Sequence, residues 1–405
     1  MSVPRQSDTG ADAAARVCAV RQFPYDTHLG REVTALVAAG HAVEVVCMRR
    51  RGEPWRERRG RVTIWRVPLE HRRGGAGRYV FEHAAFVSLA AVVVALRHLR
   101  GRFDLVQVNS PPDSVVLAAV VPKLCRVPLL LDLVECTPEF FATRFGTSGR
   151  HPLVRLLGRI EQLAIRFADG AITGTAQMRE RFVERGADTA KITVVLNASD
   201  ESVFRPPAQA PATRDESFTL ISHGTIEPRY GLDTIIRAVA RLRDHLPDVR
   251  LEIYGEGSDR EPLRQLAAEL EVSDRVSLSD GLVPIDELVA AIASADVGVV
   301  AVKRDPFRDL THTNKMFDFV AMRRPVIASW TRSVADLFDD AAMAFFRSDD
   351  PEDLARVIAE LHGDPERRAR MVERASELHE RYRGRRQREI YLEVAHRLLA
   401  GAGAN

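Results

Sequence analysis

The chain has 405 residues, 45% of them hydrophobic and 28% charged, with a formal net charge of +2. That length suits two ordinary domains better than one, and the balance of residues is that of a globular chain rather than a disordered or fibrous one. A near-neutral total gives no general field for a nucleic-acid partner.

The opening MSVPRQSDTGADAAA has no apolar stretch of the kind a secretory signal needs, so residues 1–14 are expected to be a disordered leader. Strands and helices then alternate. Arg16–Val20 reads as an apolar strand, Arg31–Ala39 as a helix stopped by Gly40, and His41–Met48 as the next strand. Between Arg49 and Arg73 the arginines at 49, 50, 51, 56, 58, 59, 61, 66, 72 and 73 face only Glu53, Glu57 and Glu70. A solvated loop is the first expectation for this run, and a surface for anionic lipid or an anionic acceptor the second. Ala84–Leu96 (AAFVSLAAVVVAL) is the most apolar run. It falls short of the ~20 residues that cross a bilayer, so a buried helix is expected, with a helix lying in a membrane interface as the alternative.

Leu105–Val108 is a strand, Ser114–Leu124 a helix, and Pro128–Leu133 a strand aliphatic enough to be covered on both sides. Helices over Leu153–Ala168 and Met178–Arg185 bracket a strand at Gly170–Thr173, and Lys191–Leu196 is a further strand. The prolines of Arg205–Pro211 break the pattern and mark a connector. Alternation then restarts, with strands at Phe218–Ser222, Val249–Tyr254, Val276–Leu278 and Val297–Val302. Helices are expected at Leu232–Leu242, Pro262–Leu270 and Ile285–Ala293, and Glu366–Ala400 is helical and rich in arginine. Repeated βα units imply parallel doubly wound sheets. The expected division is a first α/β domain over 15–204, a linker over 205–216, a second over 217–375, and a C-terminal helical segment over 376–405 that can pack back on the first domain. A ligand cleft between the two Rossmann-like domains is the expected site, because such sheets bind beyond the carboxyl ends of their strands.

The richest stretch is Thr311–Ser329, THTNKMFDFVAMRRPVIAS. A polar lead-in opens a short helix, and Pro325 ends it before a buried strand. Asn314 and Lys315 lie four and three residues before Asp318, so the three share a helix face, while Met316, Phe319 and Val320 share another. An acid, a base and an amide at a helix start suit a ligand with hydroxyls and phosphate, and Thr313 and Asn314 sit where free amides would point. Other strand-end loops join this one. Gly224 and Thr225 lead to Arg229, a forked donor for phosphate. Tyr254 and Gly255 follow another strand, Val283 sits on an apolar tip suited to a flat base, and Lys303 precedes the signature stretch. In the first half, Asp26 and His28 follow one strand and Glu135 another, and these are candidates for the acceptor side. The cysteines at 18, 47, 125 and 136 form no close pair and have no histidine cluster beside them. Neither a metal nor a disulfide framework is expected, and a cytoplasmic setting fits.

Several segments, in order, resemble the retaining GT-B glycosyltransferases of the glycogen-synthase-like group, glycosyltransferase family 4. They are AAGHAVEVVCMR, FADGAITGTAQMRERFVERGADTAKITVVLNASDESVFRP, HGTIEPRYGLDTIIRAV, YGEGSDREPLRQLAAEL, DRVSLSDGLVPIDELVAAIASADVGVVAV and NKMFDFVAMRRPVIAS. The resemblance implies a GT-B fold and transfer of a sugar from a nucleotide-diphosphate donor to an acceptor hydroxyl, with retention and without a metal. It matches Asp318 to a family glutamate on the donor ribose. Where relatives have an acid near the donor sugar this chain has Leu310. Where they have Arg and Lys on the phosphate loop it has Thr225 and Tyr230, which leaves Arg229 for the phosphates, helped by Lys303 or Lys315. Val134 stands where relatives usually have histidine. The catalytic candidates are therefore Arg229, Lys315, Glu135 and His28. The acceptor is left open, with a lipid-linked or membrane-adjacent one fitting the arginine run and peripheral contact with the inner membrane face. The competing readings are a nucleotide-sugar epimerase of similar fold and an inactive nucleotide-sugar-binding subunit.

Overall fold

The computed structural model describes residues 14–70, 76–207 and 217–403. Nearly all of the expected leader, residues 208–216 of the linker, and Arg72 and Arg73 lie outside them. The chain divides into two compact units, one made of Met1–Gly174, Arg179–Val195 and Arg388–Asn405, the other of Thr175–Met178 and Leu196–Gln387.

The first unit holds an eight-stranded sheet. Its strands are β1 (Arg16–Arg21), β2 (Ala42–Met48), β3 (Arg56–Arg59), β4 (Val62–Val67), β5 (Leu105–Asn109), β6 (Leu129–Leu133), β7 (Gly170–Thr173) and β8 (Ile192–Val194). Their order is β3-β4-β2-β1-β5-β6-β7-β8, and every pairing is parallel except β3 with β4. Strand order reverses between β1 and β5, so the loops after these two strands flank the natural crevice of the sheet. The end of the chain belongs here too. Tyr391, Val394 and Ala395 of the helix Gly384–Gly403 are buried in the core with Leu36, Val43 and Leu105.

Two expectations change in this unit. The middle of the arginine run, from Arg56 to Arg66, is an edge hairpin rather than a loop, while Arg49, Arg50 and Arg51 stay outside any strand. Arg56 pairs with Trp65 and Arg59 with Val62, and β4 runs beside β2 from Val43↔Val62 to Met48↔Val67. Charge on an edge strand discourages further pairing. The buried Arg66 is held by Glu53 at 3.0 Å and Glu57 at 2.7 Å. The apolar run is not a fully buried helix either. It lies in the 25-residue helix Ala76–Arg100, of which Phe81–Arg100 is long and apolar enough to cross a membrane. Phe86, Ala90 and Val94 face the core, while Phe81, Val92, Leu96 and Leu99 stand 69%, 56%, 46% and 74% exposed. Spacings of three, four and eleven residues keep each set on its own side.

The second unit holds β9 (Phe218–His223), β10 (Val249–Tyr254), β11 (Val276–Leu278), β12 (Val297–Val300), β13 (Val326–Ser329) and β14 (Ala344–Phe346). All are parallel, in the order β11-β10-β9-β12-β13-β14. Successive side chains of β9 go to opposite faces. Leu220 joins the core under helices Leu232–Leu242 and Pro351–Gly363, and Ile221 joins the one under Ile285–Ser294 and Lys315–Ala321. Helices therefore cover both faces, which explains the aliphatic runs in these strands. The switch in strand order falls between β9 and β12, and the loops after them carry the candidate site.

Candidate functional site

In the second unit, the loop after β9 and the helix Lys315–Ala321 converge on one ring. Pro228–Tyr230 is a single tight turn, closed by Gly231 in the left-handed region at φ 63°. Only glycine fits there, because a Cβ would meet the Ala301 carbonyl oxygen at 1.9 Å. The turn sets Tyr230 among three cations. Lys315 Nζ lies 4.6 Å from its ring centre, and the guanidinium carbons of Arg229 and Arg308 lie 5.2 and 5.7 Å away. Arg229 also pairs with Glu227 at 2.7 Å. Lys315 is buried, and burial lowers its pKa to about 8, with Asp318 opposing and Arg308 adding like charge. The Gly224 backbone runs beside that ammonium, since a Cβ there would lie 3.7 Å from Nζ.

Asp318 is buried on the same short helix. It accepts from Ser199 Oγ at 2.6 Å on one oxygen, and His223 Nε2 lies 3.6 Å from the other. His223, at the end of β9, is held neutral, its pKa lowered to about 3 by burial and then by the Lys315 charge. Met316, Phe317, Phe319 and Val320 pack into the core beneath the helix, so its position is fixed from below. Gly224 donates its N–H to the Tyr254 carbonyl, and Gly255 approaches so closely that a Cβ would strike the Gly224 oxygen at 1.8 Å. Farther along the strand ends, Tyr254, Leu282, Val283 and Pro284 line a cavity of about 410 Å³. Its apolar rim suits a flat ring.

The sequence-predicted residues of this unit thus divide. Gly224, Arg229, Tyr254, Gly255, Lys315 and Asp318 come together, and Val283 lines the neighbouring cavity. Thr225 is exposed beside Gly224, and Thr313 and Asn314 stand half-buried at the helix start. That helix has seven residues, too few turns to carry a full macrodipole, so the cations rather than its dipole dominate here. Lys303 is a correction. Its ammonium is taken up by Asp233 at 2.9 Å and Asp349 at 3.1 Å, which raise its pKa against the cost of burial. It ties the loops together instead of waiting for phosphate. Leu310 is buried, its carbonyl accepting from Thr175 Oγ1. The sequence reading missed Arg308, Ser199 and His223 as site residues. A buried arginine on a loop after a strand end is the one local signal that could have marked Arg308.

The first unit presents a second polar cluster at its own switch point. His28 Nε2 lies 2.8 Å from Asp132 Oδ2, which also accepts from Asn109 Nδ2 at 2.6 Å. Asn109 and Gln107 both donate to Glu32 Oε2, at 2.9 and 2.7 Å, and Tyr391 donates to Gln107 at 2.6 Å. Burial, then repulsion from Asp132, raises Glu32 to about 8. Burial works against charging His28, but Asp132 and then Glu32 outweigh it and its pKa is raised. His28, Glu32 and Asp132 bring ligand atoms within 4.8 Å of one another, a grouping that could hold a metal ion. The amides and the imidazole engage Glu32 Oε2 and Asp132 Oδ2. His28 is therefore no free base. Asp26 is a correction as well, since it caps helix Thr27–Ala38 through Leu29 N–H and pairs with Arg21 at 2.7 Å. Glu135 sits half-buried just beyond β6. Gln107, Asn109 and Asp132, polar residues inside aliphatic strands, were the signal for this cluster that the sequence reading left unused.

Comparison with known proteins gives the following. Residues 25–198 match the family described as "Glycosyl transferase 4-like domain", and residues 207–378 match "Glycosyl transferases group 1". Among curated proteins, a D-inositol 3-phosphate glycosyltransferase of Stackebrandtia nassauensis is 29% identical over 55% of this chain and 52% of its own length. A GDP-mannose-dependent alpha-(1-6)-phosphatidylinositol monomannoside mannosyltransferase of Mycolicibacterium smegmatis is 27% identical over 48% of this chain and 53% of its own length. The chain spans about half the length of the curated relatives it matches. Among solved structures, a sucrose-phosphate synthase from Thermosynechococcus elongatus superposes with a TM-score of 0.76 at 17% identity, over 96% of this chain and 100% of that one. The Anabaena protein HepE in complex with UDP gives 0.69 at 14%, over 95% and 100%.

Proposed function

As a GT-B glycosyltransferase, built from a glycosyl transferase 4-like domain followed by a group 1 domain, this chain, we propose, moves a sugar from a nucleoside-diphosphate donor to an acceptor hydroxyl with retention at the anomeric carbon. The observation that carries the reading is the trio of Lys315, Arg308 and Arg229 around Tyr230, beside the bare backbone of Gly224. Three cations at the carboxyl ends of a doubly wound sheet are what a diphosphate requires. The structures of HepE in complex with UDP and with UDP-glucose support the donor class.

The chemistry follows from charge. As the bond from sugar to phosphate lengthens, negative charge gathers on the diphosphate and the sugar becomes oxocarbenium-like. A buried lysine and two arginines already in position stabilise that leaving group without reorganising. The leaving phosphate oxygen takes the acceptor proton, so no separate base is needed on the donor side. Asp318 reads a ribose hydroxyl, and the cavity at Tyr254 and Val283 takes the base. His28, its pKa raised by Asp132, together with Glu135, orients the acceptor through hydrogen bonds. The exposed stripe Phe81, Val92, Leu96 and Leu99 rests on an anionic bilayer surface. Arg97 and Arg56 cover the two-ring group of Trp65 at 4.6 and 4.9 Å, which ties the hairpin to this helix.

The test is incubation with a panel of sugar nucleotides, with and without candidate polyol or lipid-linked acceptors, following free nucleoside diphosphate. Release that depends on acceptor, with the product anomer matching the donor's, is expected. Conversion of donor without release would replace the reading with an epimerase, and neither event across the panel would replace it with a binding subunit. For the membrane face, vesicles containing anionic lipid should pellet the wild type and not Leu96→Asp/Leu99→Asp. Equal pelleting would remove that contact.

A further inference from the structure

Away from both clusters, the first unit contains a cavity of about 710 Å³ between helices Thr137–Phe145, Pro152–Phe167 and the stretch around Arg181. Five arginines line it, Arg155, Arg159, Arg166, Arg181 and Arg185, against a single lining acid, Glu139. Arg155 and Arg159 are one helical turn apart, and so are Arg181 and Arg185. Like charges at that spacing repel. Arg181 lies 3.1 Å from Glu139, and Arg185 contacts both Glu139 and the buried Glu161. Those acids anchor the second pair in place. Arg155, Arg159 and Arg166 make no ion pair among the described residues, although they face the same space. Gln162 lines the cavity too. It is 6% exposed, its amide N–H groups are spent on Glu161 and the Phe182 carbonyl, and its Oε1 accepts from nothing.

The geometry points to a phosphoryl-binding site, in which Arg155, Arg159 and Arg166 grip the phosphate and Gln162 Oε1 accepts from a hydroxyl on the same ligand. Guanidinium forks match phosphate oxygens two at a time. An anion here relieves the repulsion along the helix, and a ligand hydroxyl satisfies the buried Gln162 acceptor that the fold leaves open. Leu163, 61% exposed, lines the same cavity, and Leu153 and Leu156 lie on the same exposed side of the helix, 50% and 49% exposed. The phosphate can therefore belong to a soluble phosphorylated polyol or to a lipid headgroup whose chain crosses these leucines. The binding claim does not rest on the glycosyl-transfer reading, because no residue of the cavity belongs to the Lys315 site.

The experiment titrates the full chain with inorganic pyrophosphate by calorimetry, and pellets it with vesicles of phosphatidic acid in phosphatidylcholine. It compares wild type, Arg155→Gln/Arg159→Gln, and Lys315→Met. Both replaced arginines are exposed, so the double variant should melt at the wild-type temperature. Losing two charge-assisted contacts should weaken one class of pyrophosphate binding by about tenfold or more, while Lys315→Met removes a different class. Loss of pyrophosphate binding alone identifies a soluble ligand. Loss of vesicle pelleting that pyrophosphate also competes away identifies a lipid headgroup. If the folded double variant matches wild type in both assays, there is no phosphoryl site in this cavity.

Discussion

The charge state of Lys315 should be visible as a pH limit on donor binding. In the free protein burial lowers its pKa from 10.5 to about 8. A drop of about 2.5 units means that keeping the ammonium charged in that site costs roughly 3 kcal/mol. A bound diphosphate reverses the balance, because its oxygens replace the lost water and pair with the charge. The lysine should then hold its proton well beyond pH 8 in the complex. By linkage, binding takes up a proton above pH 8 and weakens as pH rises. At pH 9.5 only about 3% of the free protein is protonated at Lys315, so affinity should be about 30-fold below its value at pH 7. The phosphate's own second ionisation, near pH 6, is complete over this range and adds no slope. Calorimetric titration with ADP, GDP, UDP and TDP between pH 7 and 9.5 measures this directly. Lys315→Met should bind about 10- to 100-fold more weakly at pH 7 and show no slope. A flat wild-type profile, or a sloping one for the Met variant, would refute the assignment of Lys315 to the phosphates.

Three further outcomes are expected. Asp318→Ala should weaken nucleoside diphosphates at least tenfold and inorganic pyrophosphate less, since the proposed role of Asp318 is on the ribose while its charge also supports the Lys315 ammonium; equal losses for both ligands would make the effect structural. Gly255→Ala drives a Cβ into the Gly224 carbonyl at a φ of 147° and should cost roughly 2–4 kcal/mol in thermal unfolding. Gly60→Ala, at φ 58° with open space around it, should cost about 1 kcal/mol, and similar losses for the two would show that the close approach of the loops is unimportant. Between pH 4.5 and 8 the folded protein holds a proton on Glu32 that the unfolded chain has released, so stability falls as pH rises, by up to about 1.4 kcal/mol per unit. Glu32→Gln should flatten that decline in melting temperature from pH 5 to 8, and an unchanged slope would place the proton elsewhere.

What the sequence disclosed and what it hid follow from the range of the interactions. The spacing of Asn314, Lys315 and Asp318 is local, so their shared helix placed two buried charges where a three-residue arithmetic said they would be. Aliphatic strands such as Leu129–Leu133 announced a sheet covered on both sides through composition alone. Lys303 and Lys315 both lie between the strands Val297–Val300 and Val326–Ser329, and nothing local separates their roles. Their fates diverge because Asp233 and Asp349, 70 and 46 residues away, claim one and leave the other among the cations around Tyr230. Ser199 meets Asp318 across 119 residues, and no local pattern records that. The strand Val62–Val67 owes its existence to β2, and Arg56–Arg59 to β4 in turn, so arginines that read as solvated became an edge. The one legible signal left unused was polarity out of place. Gln107, Asn109 and Asp132 interrupt strands that are otherwise hydrophobic, and a buried polar group survives there only with partners. Each interruption therefore implied an unseen neighbour, and the neighbours are Glu32, His28 and Tyr391, two from the helix after β1 and one from the far end of the chain. A polar residue inside an aliphatic strand is best read as half of a long-range contact, with function sought where the other half arrives.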